Sequence, residues 1–456
     1  QVNGRVSRIA EMKVLRAHYY FELSRLFNKI PYFDENVEIS QYPDIPNNEF
    51  TRDEILSMLA KEMLDAAEQL PASQPEVGRI HKYIALAYAA KIKLYQAYQQ
   101  DEITHAVTSI NKELLREVVS LCDQVTASNR YGLLDDFQGL DLVTNENGKE
   151  SVFAIQYSMN DGTESAGRIN WSNLLNSPGG GSPYGGDGFF LPSQDLINAY
   201  QTDANGLPDF NYQSKSDYSW AVLNNGVYTL QNTTPNVDPR LDFVVGRPTI
   251  TWKTYPDKPC EGWVRDKDTY GYNCAKRFWV SPESSDMFNG WPWGASQLNW
   301  QIIRYADILL WKAEALIELN EGNGLETARD LINQIRNRAR NSAYVKDFND
   351  HSKYAANYLV NPYPADVWNQ DYARQALRWE TRLEKALEGE RFFDLVRWGI
   401  VETTMNKYIT AESDNRIYYA NAHFTGGKDE YYPVPNNQYG FSGGKYVQNP
   451  GYAPFN

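Results

Sequence analysis

The chain has 456 residues, and its 44 Lys and Arg against 58 Asp and Glu give a net charge of −14. An acidic chain without a basic cluster is a poor electrostatic partner for nucleic acid or for an anionic membrane surface. The hydrophobic fraction of 42% supports a folded core. No apolar run approaches the roughly 18–20 residues that span a bilayer.

Four helices are predicted in the first 130 residues. The first covers residues 5–27, where apolar side chains recur three and four residues apart. Thr51 followed by Glu54 predicts a capping box at the start of the second helix. The apolar positions of these two helices are Met12, Leu15, Tyr19, Leu23 and Leu26, and then Leu56, Leu59, Met63, Ala66 and Leu70.

The third and fourth helices are predicted after Pro75, and their apolar positions show the same spacing. These positions are Ile80, Ile84, Tyr88, Ile92 and Tyr95, and then Val107, Ile110, Leu114, Val118, Leu121 and Val125. Helices in loop-joined pairs are typical of stacked hairpins such as tetratricopeptide arrays, although the consensus of that repeat is absent.

Residues 131–299 have a different composition, rich in Gly, Pro, Asn, Asp and Ser. Residues 152–157 and 243–245 are predicted to be short strands, and a helix is predicted after Pro192. A loop-rich segment of this length in a compact chain is usually functional, so we expect it to be a ligand-binding lobe.

Helical periodicity returns over residues 300–405, with one pair of helices at 300–340 and another at 371–405. We predict that residues 1–130 and 300–405 form one scaffold of helical hairpins and that residues 406–456 are loop-like. The expected fold is mainly α, an α/α superhelix with an irregular lobe that contains a few short strands.

Catalytic signatures are missing from the sequence, which has no HExxH, CxxC or P-loop motif and no histidines at metal-ligand spacing. Paired carboxylates in RLEKALEGERFFDLVRWG (382–399) are the residue type that glycoside hydrolysis needs. Arginines interleaved at helical spacing predict ion pairs instead, such as Glu388–Arg391 and Asp394–Arg397. We therefore expect no catalytic residues, no metal and no cofactor.

Cysteine is scarce, with Cys122, Cys260 and Cys274 only. Cys122 is expected to be buried and inert in its helix. Cys260 and Cys274 bracket a short insert, and a disulfide between them would contribute roughly 3 kcal/mol by closing the loop. The sequence leaves open whether Cys260 and Cys274 form a disulfide or remain two thiols.

The region 252–300 contains six of the twelve tryptophans. A pyranose stacks its C–H face on an aromatic plane, and its hydroxyls bind planar polar groups. Aromatic residues that staple a loop region together are the other interpretation. The candidate stacking residues are Trp263, Tyr270, Trp279, Trp291 and Trp293, and the candidate polar ligands are Arg265, Asp266 and Asn289.

Six segments, in the same order along the chain, resemble the SusD/RagB family of Bacteroidetes surface lipoproteins. They are RAHYYFELSRLFNKIPYF (16–33), GFFLPSQDLINAYQ (188–201), DPRLDFVV (238–245), IIRYADILLWKAEALIELN (302–320), RLEKALEGERFFDLVRWG (382–399) and YYPVPNNQ (431–438). They are spread from residue 16 to residue 438, so the resemblance extends over almost the whole chain as a single SusD-like domain.

This resemblance implies a non-catalytic protein at the surface of the outer membrane. It also implies a SusC-like, TonB-dependent transporter as partner and capture of oligosaccharides for delivery to it. The family's lipidated N-terminal Cys and the segment before the first helix are absent from this chain, so we expect the lipid anchor to lie outside it. Part of the ligand site could lie in the same missing segment. The family's signatures concern the fold, so they assign no ligand residue here.

Three alternatives remain open from the sequence. The chain could be a peptide-binding member of the same architecture, a glycoside hydrolase on a helical scaffold, or a scaffold whose aromatic surface contacts the transporter itself. Binding of glycans without product release would separate the first interpretation from these three.

Overall fold

The computed structural model describes residues 4–164, 167–176, 179, 181–219, 221–225, 227–231, 235–257, 259 and 262–455. The protein is mainly helical. Its α-helices are α1 (Arg5–Phe27), α2 (Arg52–Gln69), α3 (Lys82–Ala97), α4 (Lys112–Ala127), α5 (Asn173–Asn176), α6 (Gln194–Ala199), α7 (Arg240–Val244), α8 (Lys267–Tyr270), α9 (Tyr305–Leu319), α10 (Gly324–Asn341), α11 (Gln370–Glu384), α12 (Arg391–Arg397), α13 (Val401–Ser413) and α14 (Asn436–Phe441).

The strands are short and form two-stranded antiparallel pairs: β1 with β2, β3 with β10, β4 with β7, β5 with β6, and β8 with β9. They are β1 (Tyr98–Gln100), β2 (Val107–Ile110), β3 (Ser151–Ile155), β4 (Gln201–Thr202), β5 (Ala221–Asn224), β6 (Val227–Leu230), β7 (Asn236–Val237), β8 (Val245–Gly246), β9 (Cys274–Ala275) and β10 (Trp300–Arg304). None of the helices in the described ranges is long and apolar enough to cross a membrane.

The scaffold is one array of packed helices. Helix α1 packs on α2, α2 on α3 and α3 on α4. Helix α4 packs on α9, and α9 packs on both α10 and α11. The loop-rich lobe is therefore inserted between α4 and α9 without interrupting the array. This arrangement confirms the predicted mainly α fold of stacked helical hairpins.

The start of α2 follows from its sequence. The Thr51 side chain accepts a hydrogen bond from the backbone N–H of Glu54, and the Glu54 carboxylate accepts one from the backbone N–H of Thr51 at 2.8 Å. These bonds satisfy two of the donors that a helix start leaves free. The predicted stripe from Leu56 to Leu70 is buried throughout.

Helix α1 has the predicted bounds, but its buried face differs from the predicted one. Met12 and Tyr19 are 63% and 69% exposed, whereas Ala10, Val14 and Ala17 are fully buried. Ala10 and Ala17 are small enough to let neighbouring helices approach closely, so they lie inside while Met12 and Tyr19 remain outside. The predicted stripe is therefore correct only in part, because its members Leu15 and Leu23 do pack against the core.

The fourth predicted helix begins later than expected. Val107 and Ile110 belong to β2, which pairs with β1. Helix α4 starts only after Asn111, whose side chain accepts hydrogen bonds from the backbone N–H groups of Glu113 and Leu114. An Asn at this position caps a helix, and the residues before it are free to extend.

In the lobe, the strand predicted at residues 152–157 is present as β3, whereas the strand predicted at 243–245 is mostly the short helix α7. Asp238 precedes Pro239 and accepts a hydrogen bond from the backbone N–H of Arg240 at 3.0 Å. This Asp-Pro start favours a helical turn, and β8 begins only at Val245.

A buried ion-pair network joins the lobe to the scaffold. Arg304, at the end of β10, pairs with Glu150 at 2.8 Å, with Glu384 at 3.0 Å and with Glu388 at 2.7 Å. Arg277 of the lobe also pairs with Glu388, at 3.2 Å. Each of these five side chains is at most 5% exposed.

The acidic cluster of residues 382–399 is thus ion-paired, but not with all of the predicted partners. The predicted Asp394–Arg397 pair is present at 3.0 Å. The predicted Glu388–Arg391 pair is wrong, because Arg391 donates to the carbonyl of Arg378 instead. Glu388 faces the interior, where arginines from distant parts of the chain surround it.

Candidate functional site

A compact aromatic cluster forms the interior of the lobe. Trp252, Trp263 and Trp279 are at most 3% exposed, and they surround Tyr184, which is 1% exposed. The ring centroids of Trp252 and Trp263 are 5.1 Å apart, and those of Tyr184 and Trp279 are 4.7 Å apart. The Trp252 indole N–H donates to the Tyr184 hydroxyl at 2.8 Å, and that hydroxyl donates to the Val280 carbonyl at 2.7 Å.

Trp263 and Trp279, which were predicted to stack on a ligand, are therefore core residues in this structure. The loops around them contain little regular secondary structure, so large aromatic rings supply the burial that a sheet would otherwise provide. Burial also raises the pKa of the Tyr184 hydroxyl well above its usual value. The burial of these two tryptophans favours the stapling interpretation.

A hairpin lies directly on the buried cluster. Met287 and Ser296 form a bridge at its base, and the Phe288 N–H donates to the Ala295 carbonyl at 2.9 Å. Trp291, joined to Pro292 by a cis peptide bond, occupies its tip. Trp291 and Trp293 are 61% and 49% exposed.

Gly294 explains the close seat of this hairpin. Its φ is +70°, and an added Cβ would lie 2.8 Å from the Trp279 ring. A side chain at this position would therefore meet both backbone strain and the buried cluster. The hairpin tip is thus supported from below by the core of the lobe.

Two other segments bring exposed aromatic residues beside the hairpin. The Asn170 N–H donates to the Ser296 carbonyl at 2.8 Å, which places Trp171 next to the hairpin base. The Phe189 N–H donates to the Leu175 carbonyl at 3.0 Å. An added Cβ at Gly185 would lie 3.2 Å from Trp293 Cβ, so the segment leading to Phe189 and Phe190 is close to the hairpin.

We call Trp171, Phe189, Phe190, Trp291 and Trp293 the aromatic surface. All five are at least 45% exposed. In the described part of the chain, Trp171, Trp291 and Trp293 are the only strongly exposed tryptophans. Concentrating exposed aromatic residues on adjoining loops is typical of a binding surface.

Sequence reasoning selected Trp291 and Trp293 but missed the other three members. Trp171 lies more than 100 residues earlier in the chain, and only the contact between Asn170 and Ser296 brings it to the hairpin. Phe189 and Phe190 follow the glycine-rich segment SPGGGSPYGGDG. Two adjacent aromatic residues after a run of glycines were the available signal.

The predicted polar residues take different positions. Arg265 Nη2 lies 2.9 Å from Asp187 Oδ1 in a half-exposed ion pair, two residues from Phe189 in the sequence. Asp266 accepts hydrogen bonds from the N–H and hydroxyl of Thr269 and so caps α8. Arg265 is therefore placed near the aromatic surface, while the Asp266 carboxylate is engaged within its own turn.

Among the described residues, no contact places Tyr270 with the hairpin. It is 41% exposed, and its ring lies 6.2 Å from that of Tyr418, beside the strongly exposed Ile417. A Cβ added at Gly271 would clash with the Arg416 guanidinium, so this turn also lies against residues 416–418. Tyr270 belongs to a separate exposed patch.

Asn289 lines a polar cavity of about 360 Å³, and no member of the aromatic surface lines this cavity. Ser158, Arg168 and Glu164 line the same cavity. Hydrogen bonds from Ser158 and Thr163 lower the pKa of Asp161. Asp161 also pairs with Arg168 at 3.2 Å, so the loop that carries these groups is held by its own side chains.

The predicted disulfide has one partner outside the described residues. Cys274 is fully buried on β9. Cys260 lies among the residues whose structure is not described. A bond between the two remains a prediction.

Comparison with known proteins decides the family. A model of the SusD family matches residues 149–452, about two thirds of the chain. The chain belongs to the SusD family. The match includes most of the lobe, the hairpin and the ion-pair network described above.

Relatives of this SusD-family chain are similar over most of its length. A SusD-like protein of Bacteroides ovatus is 22% identical over 423 residues, which are 87% of this chain and 61% of that protein. The chain thus spans less than two thirds of that relative. In Bacteroides fragilis, the structure of a SusD-like carbohydrate binding protein is 20% identical, with a TM-score of 0.67 over 97% of this chain and 80% of that one.

A further structure is surface glycan-binding protein A from Bacteroides thetaiotaomicron in complex with laminarihexaose. It is 18% identical, with a TM-score of 0.63 over 98% of this chain and 78% of that one. At such low identities these structures establish the fold that this SusD-family chain shares with them.

Proposed function

We propose that this SusD-family protein captures oligosaccharides on its aromatic surface without cleaving them. The observation that carries the proposal is the position of Trp171, Trp291 and Trp293, three strongly exposed tryptophans on adjoining loops. Exposed aromatic residues that cluster on adjoining loops are typical of a binding site, and aromatic planes suit the C–H faces of pyranose rings. The carbohydrate-binding and laminarihexaose-bound relatives support the same ligand class.

Polar groups of the kind that sugar hydroxyls need lie on the same segments as the aromatic surface. Arg265 and Asp187 form a half-exposed ion pair beside Phe189. Asn289 provides an exposed amide on the same hairpin as Trp291. Such groups donate to and accept from hydroxyls, while the rings exclude water from the stacked face.

Binding rather than hydrolysis is supported by the state of the acidic cluster. Glu384 and Glu388, the carboxylates considered for glycoside hydrolysis, are buried against Arg304 and other arginines. A general acid or a nucleophile must reach the scissile bond. Carboxylates enclosed in this way serve the fold.

We further propose that the protein acts at the cell surface as a lipoprotein and delivers its ligand to a SusC-like, TonB-dependent transporter. Membership of the SusD family supports this role. An N-terminal lipid anchor outside this chain would hold it at the outer membrane.

Substitution of the hairpin tip tests the ligand proposal. We expect Trp291→Ala and Trp293→Ala each to weaken binding of the recognised oligosaccharide at least tenfold, or about 1.4 kcal/mol, because each removes an exposed stacking plane. Isothermal titration calorimetry against laminarihexaose and other neutral oligosaccharides, with a mixed peptide pool as a further sample, measures the effect.

Tyr19→Ala is the matched control, since Tyr19 is also strongly exposed but lies on α1. It should bind like the wild type, and all variants should keep the wild-type melting temperature. Binding heat from the peptide pool, with none from the oligosaccharides, would mean that the ligand is a peptide. Release of reducing sugar, or unchanged binding in both tryptophan variants, would refute the proposal.

A further inference from the structure

A second cleft lies away from the aromatic surface. It has a volume of about 850 Å³, in the range of small-molecule sites, and no member of the aromatic surface lines it. Segments 134–145 and 280–286 form its walls. Its buried lining residues, which we call the floor, are Asp141, Phe243, Lys276 and Val280, together with the mostly buried Lys253.

Lys276 is an unusual floor residue, because it is 2% exposed. Its ammonium donates to the backbone carbonyls of Asp242 at 2.8 Å and Thr251 at 3.0 Å. No described carboxylate lies within 4.0 Å of it. Burial, with the neighbouring Lys253 charge, lowers the pKa of Lys276 to about 7.

Lys253 shares its only described carboxylate with an arginine. Its ammonium lies 3.3 Å from Asp141 Oδ2, while Arg277 Nε lies 3.0 Å from Asp141 Oδ1. Arg277 has a second carboxylate in Glu388. The floor therefore carries two lysines against one shared carboxylate, and an anionic group bound there would stabilise the charged forms of both lysines.

The walls have a different character. The Thr254 and Ser281 hydroxyls are 2.7 Å apart, and the Ser284 hydroxyl donates to Asp286 at 3.0 Å. Asp136 and Glu283 also line the cleft. These hydroxyls and carboxylates suit the hydroxyl groups of a sugar, whereas the acidic walls would repel a ligand with many negative charges.

We propose that this cleft is a second ligand site, which binds an oligosaccharide bearing a single carboxylate, a uronic acid residue, with that carboxylate at Lys253 and Lys276. The neutral sugars of the same ligand contact the hydroxyl-rich walls. The site does not depend on the function proposed for the aromatic surface, because the two share no lining residue.

Calorimetric titration of the Trp291→Ala protein tests this site with the aromatic surface impaired. The probe is an aldotriouronic acid, a xylobiose that carries one glucuronate. Xylotriose is its neutral match, and polygalacturonate is the polyanionic comparison. We expect the aldotriouronic acid to bind with one-to-one stoichiometry and at least tenfold more tightly than either comparison ligand.

Lys253→Met should weaken this binding at least tenfold, and Asp141 would keep its bonds from Arg277 and the Phe278 N–H. Lys61→Met removes the same charge from an exposed residue outside the cleft, which pairs with Asp65, and it should bind normally. Should Lys253→Met not fold, Ser281→Ala tests the same walls and should weaken binding.

Three results would overturn the proposal: equal affinity for xylotriose, tighter binding of polygalacturonate, or wild-type affinity in the folded cleft variants. Loss of aldotriouronic acid binding in Trp291→Ala, with binding retained in the wild type, would also overturn it, because the ligand would then lie on the aromatic surface. Failure of laminarihexaose to bind the wild type concerns only the function proposed for that surface.

Discussion

At the residue scale, this protein places many arginines where hydrophobic side chains are usual. Arg240, Arg247, Arg277, Arg304 and Arg336 are at most 2% exposed. The charges of Arg240, Arg277, Arg304 and Arg336 are balanced by acids from distant segments, as Arg304 is by Glu150 and Glu388. Removing one partner from such a set leaves uncompensated buried charge, which costs more than the pair contributes.

Arg304→Met should therefore lower the free energy of unfolding by about 3–5 kcal/mol, because it leaves Glu150, Glu384 and Glu388 short of a partner. Chemical denaturation followed by circular dichroism measures the change. Arg116→Met is the matched control: Arg116 is exposed and pairs with Glu113 and Glu321, and its loss should have little effect. Equal effects of the two variants would contradict this view of the network.

The aromatic residues show what the sequence can and cannot predict at this scale. Their concentration in residues 252–300 predicts a ligand site there, which stays a prediction, and the structure places both the buried cluster and the hairpin in this region. Whether one tryptophan is buried depends on distant contacts, as with Trp279, which packs on Tyr184 almost 100 residues earlier. Local sequence carries no record of such a contact, so Trp279 and Trp291 looked alike.

At the scale of elements, local chemistry predicted the helices better than their buried faces. The capping box at Thr51 and Glu54 fixed the start of α2, and the periodic stripe fixed its buried side. Helix α1 had equally clear periodicity, but close packing of Ala10 and Ala17 decided its face. The strand β2 was missed because its pairing with β1 is a tertiary contact and its apolar residues continue the helical spacing.

Thr51→Ala should lower the free energy of unfolding by about 1 kcal/mol, since it removes the side-chain acceptor that caps α2. Thr51→Ser keeps a hydroxyl at the same position and should retain most of the stability. Denaturant midpoints of the two variants and the wild type give the comparison. A Ser variant as unstable as the Ala variant would mean that the methyl group, rather than the cap, matters.

At the scale of the whole molecule, the helical array continues from α4 to α9 across an insertion of more than 150 residues. The sequence predicted both scaffold halves, because helical periodicity is visible locally. It did not predict that Arg304, Arg277 and Glu388 would join the lobe to the scaffold, since these residues are far apart in the chain.

Acid should destabilise the protein between about pH 4 and pH 2. Burial alone would raise the pKa of Glu384, but the charges of Arg338, Arg304 and Arg240 outweigh it and lower the pKa to about 2. The folded pKa is below the unfolded value of about 4.3. The contribution of this group is therefore complete above pH 4.3 and is lost as the pH falls towards 2, where the unfolded chain binds the proton first.

Chemical denaturation at several pH values measures this loss of unfolding free energy. The same measurement at high salt is the control, because the network is buried. Salt screens exposed ion pairs but reaches enclosed pairs poorly. The decline of the unfolding free energy between pH 4 and pH 2 should thus persist in 0.5 M NaCl, where the Debye length is only about 4 Å and exposed charges are screened beyond that distance. A flat profile in salt would assign the acid sensitivity to surface charges instead.

The separation between buried and exposed tryptophans has an optical consequence. Trp252, Trp263 and Trp279 sit in a dry interior, while Trp171 and Trp291 face water. A dissolved quencher such as iodide will reach the second group and leave the emission of the first largely intact. A sugar lying on the aromatic surface would shield the quenchable fraction, so the protein contains its own label-free reporter of occupancy.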